Sequence, residues 1–323
     1  MTETVGFEEV TIPVPWGHVS GKWWGGRGRQ PVIALHGWQD NAGSFDGLGT
    51  LLPKDISMLA IDFPGHGRSS HYPKGQFYYL FWDGVLLLRR IVKHFKWSKV
   101  TIIGHSMGGA VGFLYAASFP DDTEKLISLD IASPTIRDKE SVVNITGVSI
   151  DRFLKYETLT EDAMPCYTKE EMIELVLEAY QGAITRESAE TLMIRGMSPI
   201  PPTSKNIMKK EGFLFARDVR LKVAGLGLIT LDLVLEYAKK IKCEYLNIRA
   251  VPGLSFDRPE YYTQVLDEIK KSSCRFEYKE VDGSHHIHLN EPEKIGPIVF
   301  NFIKTSKSEQ ISSDSVVNGT GST

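Results

Sequence analysis

The chain has 323 residues, 42% of them hydrophobic and 24% charged, with a formal net charge of −3. That length can bury a large core and suits one big domain or a core carrying a smaller insertion. The charge balance gives no electrostatic basis for binding nucleic acid or an anionic membrane surface, which leaves small molecules as the expected partners.

The first residues are acidic and polar with no apolar run behind them, so neither a signal peptide nor a bilayer-spanning segment is expected. Three scattered cysteines, Cys166, Cys243 and Cys274, make neither a disulfide framework nor a metal-ligand pattern. A reducing, cytoplasmic setting follows, with peroxisomal or other organelle association left open. Residues 7–13 and 16–24 alternate in polarity around Pro-Val-Pro and predict an antiparallel pair at a sheet edge. Residues 31–36 are an apolar run, as in a strand covered on both faces, and end in His36-Gly37-Trp38. A helix is expected near 45–52, a strand at 57–61, and a long helix over 77–95. Val100-Thr101-Ile102-Ile103 reads as a buried strand that runs through Gly104-His105-Ser106-Met107-Gly108 into a helix at 110–118. Another strand follows at 125–130. Such β and α alternation implies a mostly parallel sheet with helices on both faces.

At Ser133-Pro134 the rhythm breaks. Residues 134–238 carry helical stretches at 150–156, 169–180 and 186–195 and no core strand pattern, so they read as an inserted helical cap. Strand and helix then resume at 244–249, 259–271, 275–281 and 292–303, with Asn290 as N-cap of the last helix. The core is accordingly 1–133 plus 239–305. Residues 306–323 are polar and aperiodic and are expected to be a disordered tail.

A serine between glycines at a strand-turn-helix junction is a candidate nucleophile, because the sharp turn exposes its hydroxyl and only glycine tolerates the crowding beside it. Its partners belong on loops at the carboxyl ends of the strands, where an open parallel sheet forms a crevice. Asp282-Gly283-Ser284-His285-His286-Ile287-His288 supplies imidazoles that could take and return the serine proton. A metal cluster there is discounted, since no carboxylate or cysteine pattern completes it. Two carboxylates could orient the histidine: Asp257, beyond the strand at 244–249, slightly preferred, and Asp130, at the end of the strand after the serine helix. The backbone N–H groups of Met107 and Trp38 are the candidate oxyanion donors. His36, His105, Asp62, His66 and Arg68 read as packing, turn or network residues. Arg217, Asp218 and Arg220 read as an ion-pair network rather than substrate contacts.

Taken together, these residues resemble the α/β-hydrolase superfamily to about residue 303. The resemblance rests on His36-Gly37-Trp38, Asp62-x-Pro64-Gly65-His66-Gly67-Arg68-Ser69, Gly104-His105-Ser106-Met107-Gly108, and His285 seven positions before Pro292 in His-x-x-His-Leu-x-x-Pro. It is most similar to the serine hydrolase-like (kraken-like) group, through His36-Gly37-Trp38-Gln39-Asp40-Asn41-Ala42 and residues 213–221. The resemblance selects His285 over His286 and His288 as the base. It implies a serine hydrolase that needs no cofactor and cleaves a small carboxylic ester or thioester through an acyl-enzyme. One departure matters: the usual tryptophan-glycine pair before the acid is replaced by Arg249-Ala250, which keeps Asp130 in play because dehalogenase-like relatives carry their acid at that strand. A serine, not an aspartate, at the elbow excludes the alkyl-ester chemistry of epoxide hydrolases and haloalkane dehalogenases. Alternatives are a serine C–C bond hydrolase with the same residues and a non-catalytic ligand-binding homologue. Acyl chain length and oligomeric state are not legible.

Overall fold

A computed structural model of the chain describes residues 6–75, 79–201, 212–224, 226–255 and 258–305. The strands are β1 (Phe7–Val14), β2 (Gly17–Trp24), β3 (Val32–Leu35), β4 (Met58–Ile61), β5 (Val100–His105), β6 (Thr123–Leu129), β7 (Met197–Pro199), β8 (Phe213–Phe215), β9 (Glu244–Pro252) and β10 (Arg275–Gly283). Eight of them form one sheet in the order β1-β2-β4-β3-β5-β6-β9-β10. β1 and β2 pair antiparallel at one edge, and every pair from β4 to β10 is parallel. The central position of β5 explains its composition: all six residues are buried, so both faces must be apolar or internally satisfied.

Ten helices are described: α1 (Asp46–Thr50), α2 (Phe81–His94), α3 (Met107–Ser118), α4 (Lys139–Glu157), α5 (Lys169–Tyr180), α6 (Arg186–Gly196), α7 (Leu231–Ala238), α8 (Pro259–Ser272), α9 (Ile287–Asn290) and α10 (Pro292–Lys304). The two-residue period of a strand divides the core into two layers. Ile33 and Leu35 of β3 point into the layer built with α2, α3, α7 and α8. Val32 and Ala34 point the other way, toward Phe45, Leu48, Ile295 and Val299 beside α1 and α10. The helix α2 meets its layer with Val85, Leu88, Ile91 and Val92, spaced three, six and seven residues from the first. Burial of each such side chain stabilises the fold by roughly 1.5–3 kcal/mol.

Among the described residues, the segment between β6 and β9 contributes no strand to this sheet. It has a small core of its own, with Met172, Ile173 and Val176 of α5 against Ala189, Leu192 and Met193 of α6, and Leu289 of α9 packs on it. Thr168 and Glu171 start α5 as a reciprocal cap, each side chain taking the other's backbone N–H. The stronger tie is a charge. Arg195, on the last turn of α6, donates to Asp62 at 2.7 Å, Glu9 at 2.6 Å and Ser20 at 3.1 Å, all on the main-sheet side of the molecule.

Three expectations need correction here. The helix expected at 150–156 already begins at Lys139, because Asp138 accepts the N–H of Ser141 at 2.8 Å and so caps it a full three turns earlier. β7 and β8 pair antiparallel inside the segment read as a largely helical cap, a small sheet not foreseen there; three-residue strands are too short to leave a periodicity. Asn290 is not the N-cap of α10: it closes α9, and its amide donates to Ala183 and Ser284. The long helix expected from residue 77 starts at Phe81, its first expected turn falling partly outside the described residues, as do residues 306–323. Cys166, Cys243 and Cys274 form no disulfide with one another. Among the described residues no helix is long and apolar enough to cross a membrane.

Candidate active site

Ser106 stands between β5 and α3 with φ 50° and ψ −116°, a conformation that costs a non-glycine residue about 1–3 kcal/mol. The crowding around it is backbone. A Cβ at Gly108 would stand 2.0 Å from the Leu35 carbonyl oxygen, and one at Gly104 would stand 2.4 Å from that of Gly108. Neither neighbour can yield, so any side chain at these two positions would push the turn open. Ser106 thus sits at the N-terminus of α3, where the first backbone N–H groups, that of Met107 among them, have no partner inside the helix.

The turn holding His285 lies directly alongside. His105 Nε2–H donates to the His285 carbonyl at 2.9 Å, and the two rings are 4.6 Å apart. His285 Nδ1–H donates to Asp130 Oδ2 at 2.7 Å, which leaves Nε2 as the unprotonated nitrogen of the ring. No hydrogen bond joins Ser106 Oγ to the imidazole, a contact that in serine enzymes tightens with substrate in place.

Asp130 follows β6 with φ 50° and is fully enclosed. Its oxygens accept from the N–H of Ala250 at 3.0 Å, the N–H of Leu254 at 2.7 Å and Arg249 Nη1 at 3.0 Å. Arg249-Ala250 is the pair that departed from the superfamily pattern. Both of its residues serve a carboxylate on the neighbouring strand, which is the physical sense of that departure. Asp130 meets His285; Asp257 lies outside the described residues.

The loop after β3 brings Trp38 to the same place, and Trp38, Ser106 and Met107 line one cavity of about 660 Å³. His36, beneath the loop, donates from Nδ1 to Gly37 and accepts the Phe63 N–H at Nε2, 3.0 Å away. His66 Nε2 accepts the N–H of Gln39 at 3.1 Å. Both rings are therefore neutral spacers that set the loop, and burial lowers the pKa of each.

Asp40 was not foreseen as a site residue. Fully enclosed, it accepts a short hydrogen bond from the hydroxyl of Tyr180 and another, at 3.3 Å, from His286 Nε2, and His105 Nδ1 is 3.7 Å away. Burial opposes its ionisation, but His286 and His105 alongside hold its carboxyl well below the usual range. Burial pushes His105 down to about 3, so that ring is neutral. Among the described residues these three have donor atoms close enough, within 4.8 Å, to hold a metal ion. The two carboxylate oxygens are already engaged by Tyr180 and His286, and we read the cluster as a hub hydrogen bonded through Tyr180 and His286, with the neutral His105 ring packed beside it. It links the Trp38 loop, the residue before Ser106, the residue after His285, and α5. The available signal was position: Asp40 lies two residues past Trp38, and His105 and His286 each adjoin a candidate catalytic residue.

Comparison with known proteins agrees with this geometry. A family model described as alpha/beta hydrolase fold matches residues 30–157. The chain is 52% identical over 298 residues to a probable serine hydrolase of Drosophila melanogaster, covering 92% of this chain and 88% of the relative. The chain belongs to the α/β-hydrolase family, among its serine hydrolase-like members. Human serine hydrolase-like protein 2 is 33% identical over 307 residues, covering 92% of this chain and 94% of that protein. Among solved structures, a hypothetical protein of Pseudomonas aeruginosa PAO1 superposes with a TM-score of 0.77 at 29% identity, covering 92% of this chain and 98% of that one. In this hydrolase the residues 217–220 divide: Arg220 donates to Asp218 at 2.7 Å, and Asp218 also accepts from the Tyr79 hydroxyl at 2.7 Å. Arg217 instead lies over the Phe215 ring, 4.1 Å from its centre.

Proposed function

We propose that this hydrolase cleaves a small carboxylic ester or thioester through an acyl-enzyme. Ser106 Oγ attacks the carbonyl carbon, and His285 Nε2 takes the hydroxyl proton. Asp130 holds the imidazole in the tautomer that leaves Nε2 basic and steadies the imidazolium that forms. The N–H groups of Trp38 and Met107 receive the developing oxyanion. His285 then protonates the leaving alcohol or thiol, and water repeats the sequence to release the acid. The segment 134–238 acts as a cap that closes the cavity over the acyl group.

The observation that carries the reading is the 2.7 Å contact between His285 and the enclosed carboxylate of Asp130, on a turn tied by hydrogen bond to the residue before Ser106. A ligand-binding protein of the same fold has no need of an oriented imidazole beside a half-buried serine at the cavity wall. Fluorophosphonate labelling together with hydrolysis of p-nitrophenyl butyrate tests it. Both should be abolished in Ser106→Ala, with a loss of turnover on the order of 10⁶-fold in favourable cases. Undiminished hydrolysis by that variant, or no labelling of folded wild-type protein, would reject it.

A further inference from the structure

The cavity that opens onto Ser106 has an uneven charge. Among the described residues its charged lining residues are Arg137, Arg152 and Lys222, and none of the lining is a carboxylate. All three come from the segment between β6 and β9, so the core supplies the candidate chemistry and the insert supplies the charge. On α4 the positions facing the cavity are Asn144, Ile145, Val148, Ser149 and Arg152, a stripe at the spacing of one helix face. The acidic residues of the same helix are absent from that stripe; Glu157 is turned away to the Gly75 N–H at 2.9 Å.

Elsewhere in the insert the buried arginines have carboxylates of their own, Arg195 with Asp62 and Arg220 with Asp218. Arg152 and Lys222, both exposed at the rim of the cavity, have no carboxylate partner among the described residues, and the Lys222 ammonium lies 5.8 Å from the Tyr156 ring centre. The remaining lining is largely apolar, with Leu80, Phe81, Val223 and Leu228. A concave apolar pocket whose rim bears one sign of charge favours a ligand of the opposite sign. Guanidinium and ammonium groups are the usual receptors for carboxylate and phosphate.

Resting on the proposed function, we infer that the substrate is an anionic amphiphile: an ester or thioester whose apolar acyl portion fills the cavity and whose carboxylate or phosphate is received by Arg152 and Lys222. The anion sits either at the far end of the acyl chain or on the alcohol or thiol that leaves. These two sources share one recognition chemistry and differ in which product keeps the charge.

Two matched substrate pairs separate them. One pair is p-nitrophenyl hexanoate against the mono-p-nitrophenyl ester of adipic acid. The other is S-hexanoyl-N-acetylcysteamine against S-hexanoyl-phosphopantetheine. The charged member of one pair should have the higher kcat/KM by about tenfold or more at low salt, and the ratio should shrink as salt is raised. In Arg152→Gln and Lys222→Gln, checked for folding by thermal melting, the charged-to-neutral ratio should fall at least threefold each; in Lys93→Gln, far from the cavity, it should stay. Calorimetric binding of hexyl phosphate and adipate, tighter in wild type than in the Arg152→Gln/Lys222→Gln double variant, reads the same recognition without catalysis. The inference is overturned if neither pair favours its charged member and neither anion binds more tightly to wild type, or if the preference survives the double variant. Failure of the hydrolase reading looks different: no fluorophosphonate labelling and no turnover of any member, while the calorimetric comparison still decides the anion.

Discussion

Asp130 and Asp40 are two enclosed carboxylates, each hydrogen bonded to one of two adjacent histidines on the same turn. Their other partners differ. Asp130 is held by two backbone N–H groups and Arg249, fixed points on one side of the sheet, and offers its remaining lone pair to His285. Asp40 is held by side chains from distant parts of the chain, Tyr180 and His286, with His105 3.7 Å away, and by none of the candidate catalytic groups. The difference teaches that enclosure does not define a catalytic acid. A rigid carboxylate with one lone pair aimed at a base can orient it, whereas a carboxylate shared among side chains fastens loops to one another.

The comparison breaks or sharpens under substitution. In Asp130→Asn the amide cannot accept from both the backbone and His285 Nδ1–H, so the imidazole should turn to the wrong tautomer. We expect kcat to fall by about 10⁴-fold with KM changed only a few-fold, measured on any ester the wild type cleaves. In Asp40→Asn the loss should appear first as stability, about 2–4 kcal/mol in urea denaturation, because Tyr180 and His286 are left facing a poorer acceptor. Its kcat should drop no more than about 100-fold. If Asp40→Asn matched Asp130→Asn in kcat while keeping wild-type stability, the two roles would have to be exchanged.

A smaller effect concerns pH. Burial lowers the pKa of His36, His66, His105 and His288 below 6.5 in the folded protein, and His105 down to about 3. The unfolded chain therefore takes up protons that the folded one refuses, so stability is complete above about pH 6.5 and is lost as pH falls toward the folded values. Each histidine contributes a slope of up to about 1.4 kcal/mol per pH unit within that window. Denaturation midpoints that stayed level between pH 7 and pH 5 would show the rings to be charged or accessible. The smallest expected effect is that of Tyr180→Phe, about 1–2 kcal/mol, since it leaves Asp40 one partner short.

Most of the sheet was legible because its strands are covered on both faces: a run such as Val32-Ile33-Ala34-Leu35 has few other uses. The candidates Ser106 and His285 stood out for a different reason, since each stands at a strand end in a segment rich in glycine and histidine. The carboxylate beside His285 was not legible. Asp130 and Asp257 are each an aspartate after a strand; at Asp130 the crossing from β6 to β9 brings Arg249 and two N–H groups onto the carboxylate. Sequence spacing carries no record of that convergence. The hub around Asp40 was hidden for the same reason, as its members are 65 to 246 positions apart. Local signals did carry the start of α5, where Thr168 and Glu171 form a cap within one turn.

Arg195 has a consequence for how such a protein can be rebuilt. Asp62 belongs to the core, and with Arg195 removed it would be an enclosed carboxylate keeping only the N–H groups of Ala42 and Arg68. Loss of one partner of a buried pair costs about 3–5 kcal/mol. The insert is therefore not a freely exchangeable module. A graft taken from another member of the family would have to present a cation at the end of its α6 equivalent, or the host would need Asp62 replaced at the same time. One side chain thus sets the compatibility rule between the part that would cut and the part that would choose.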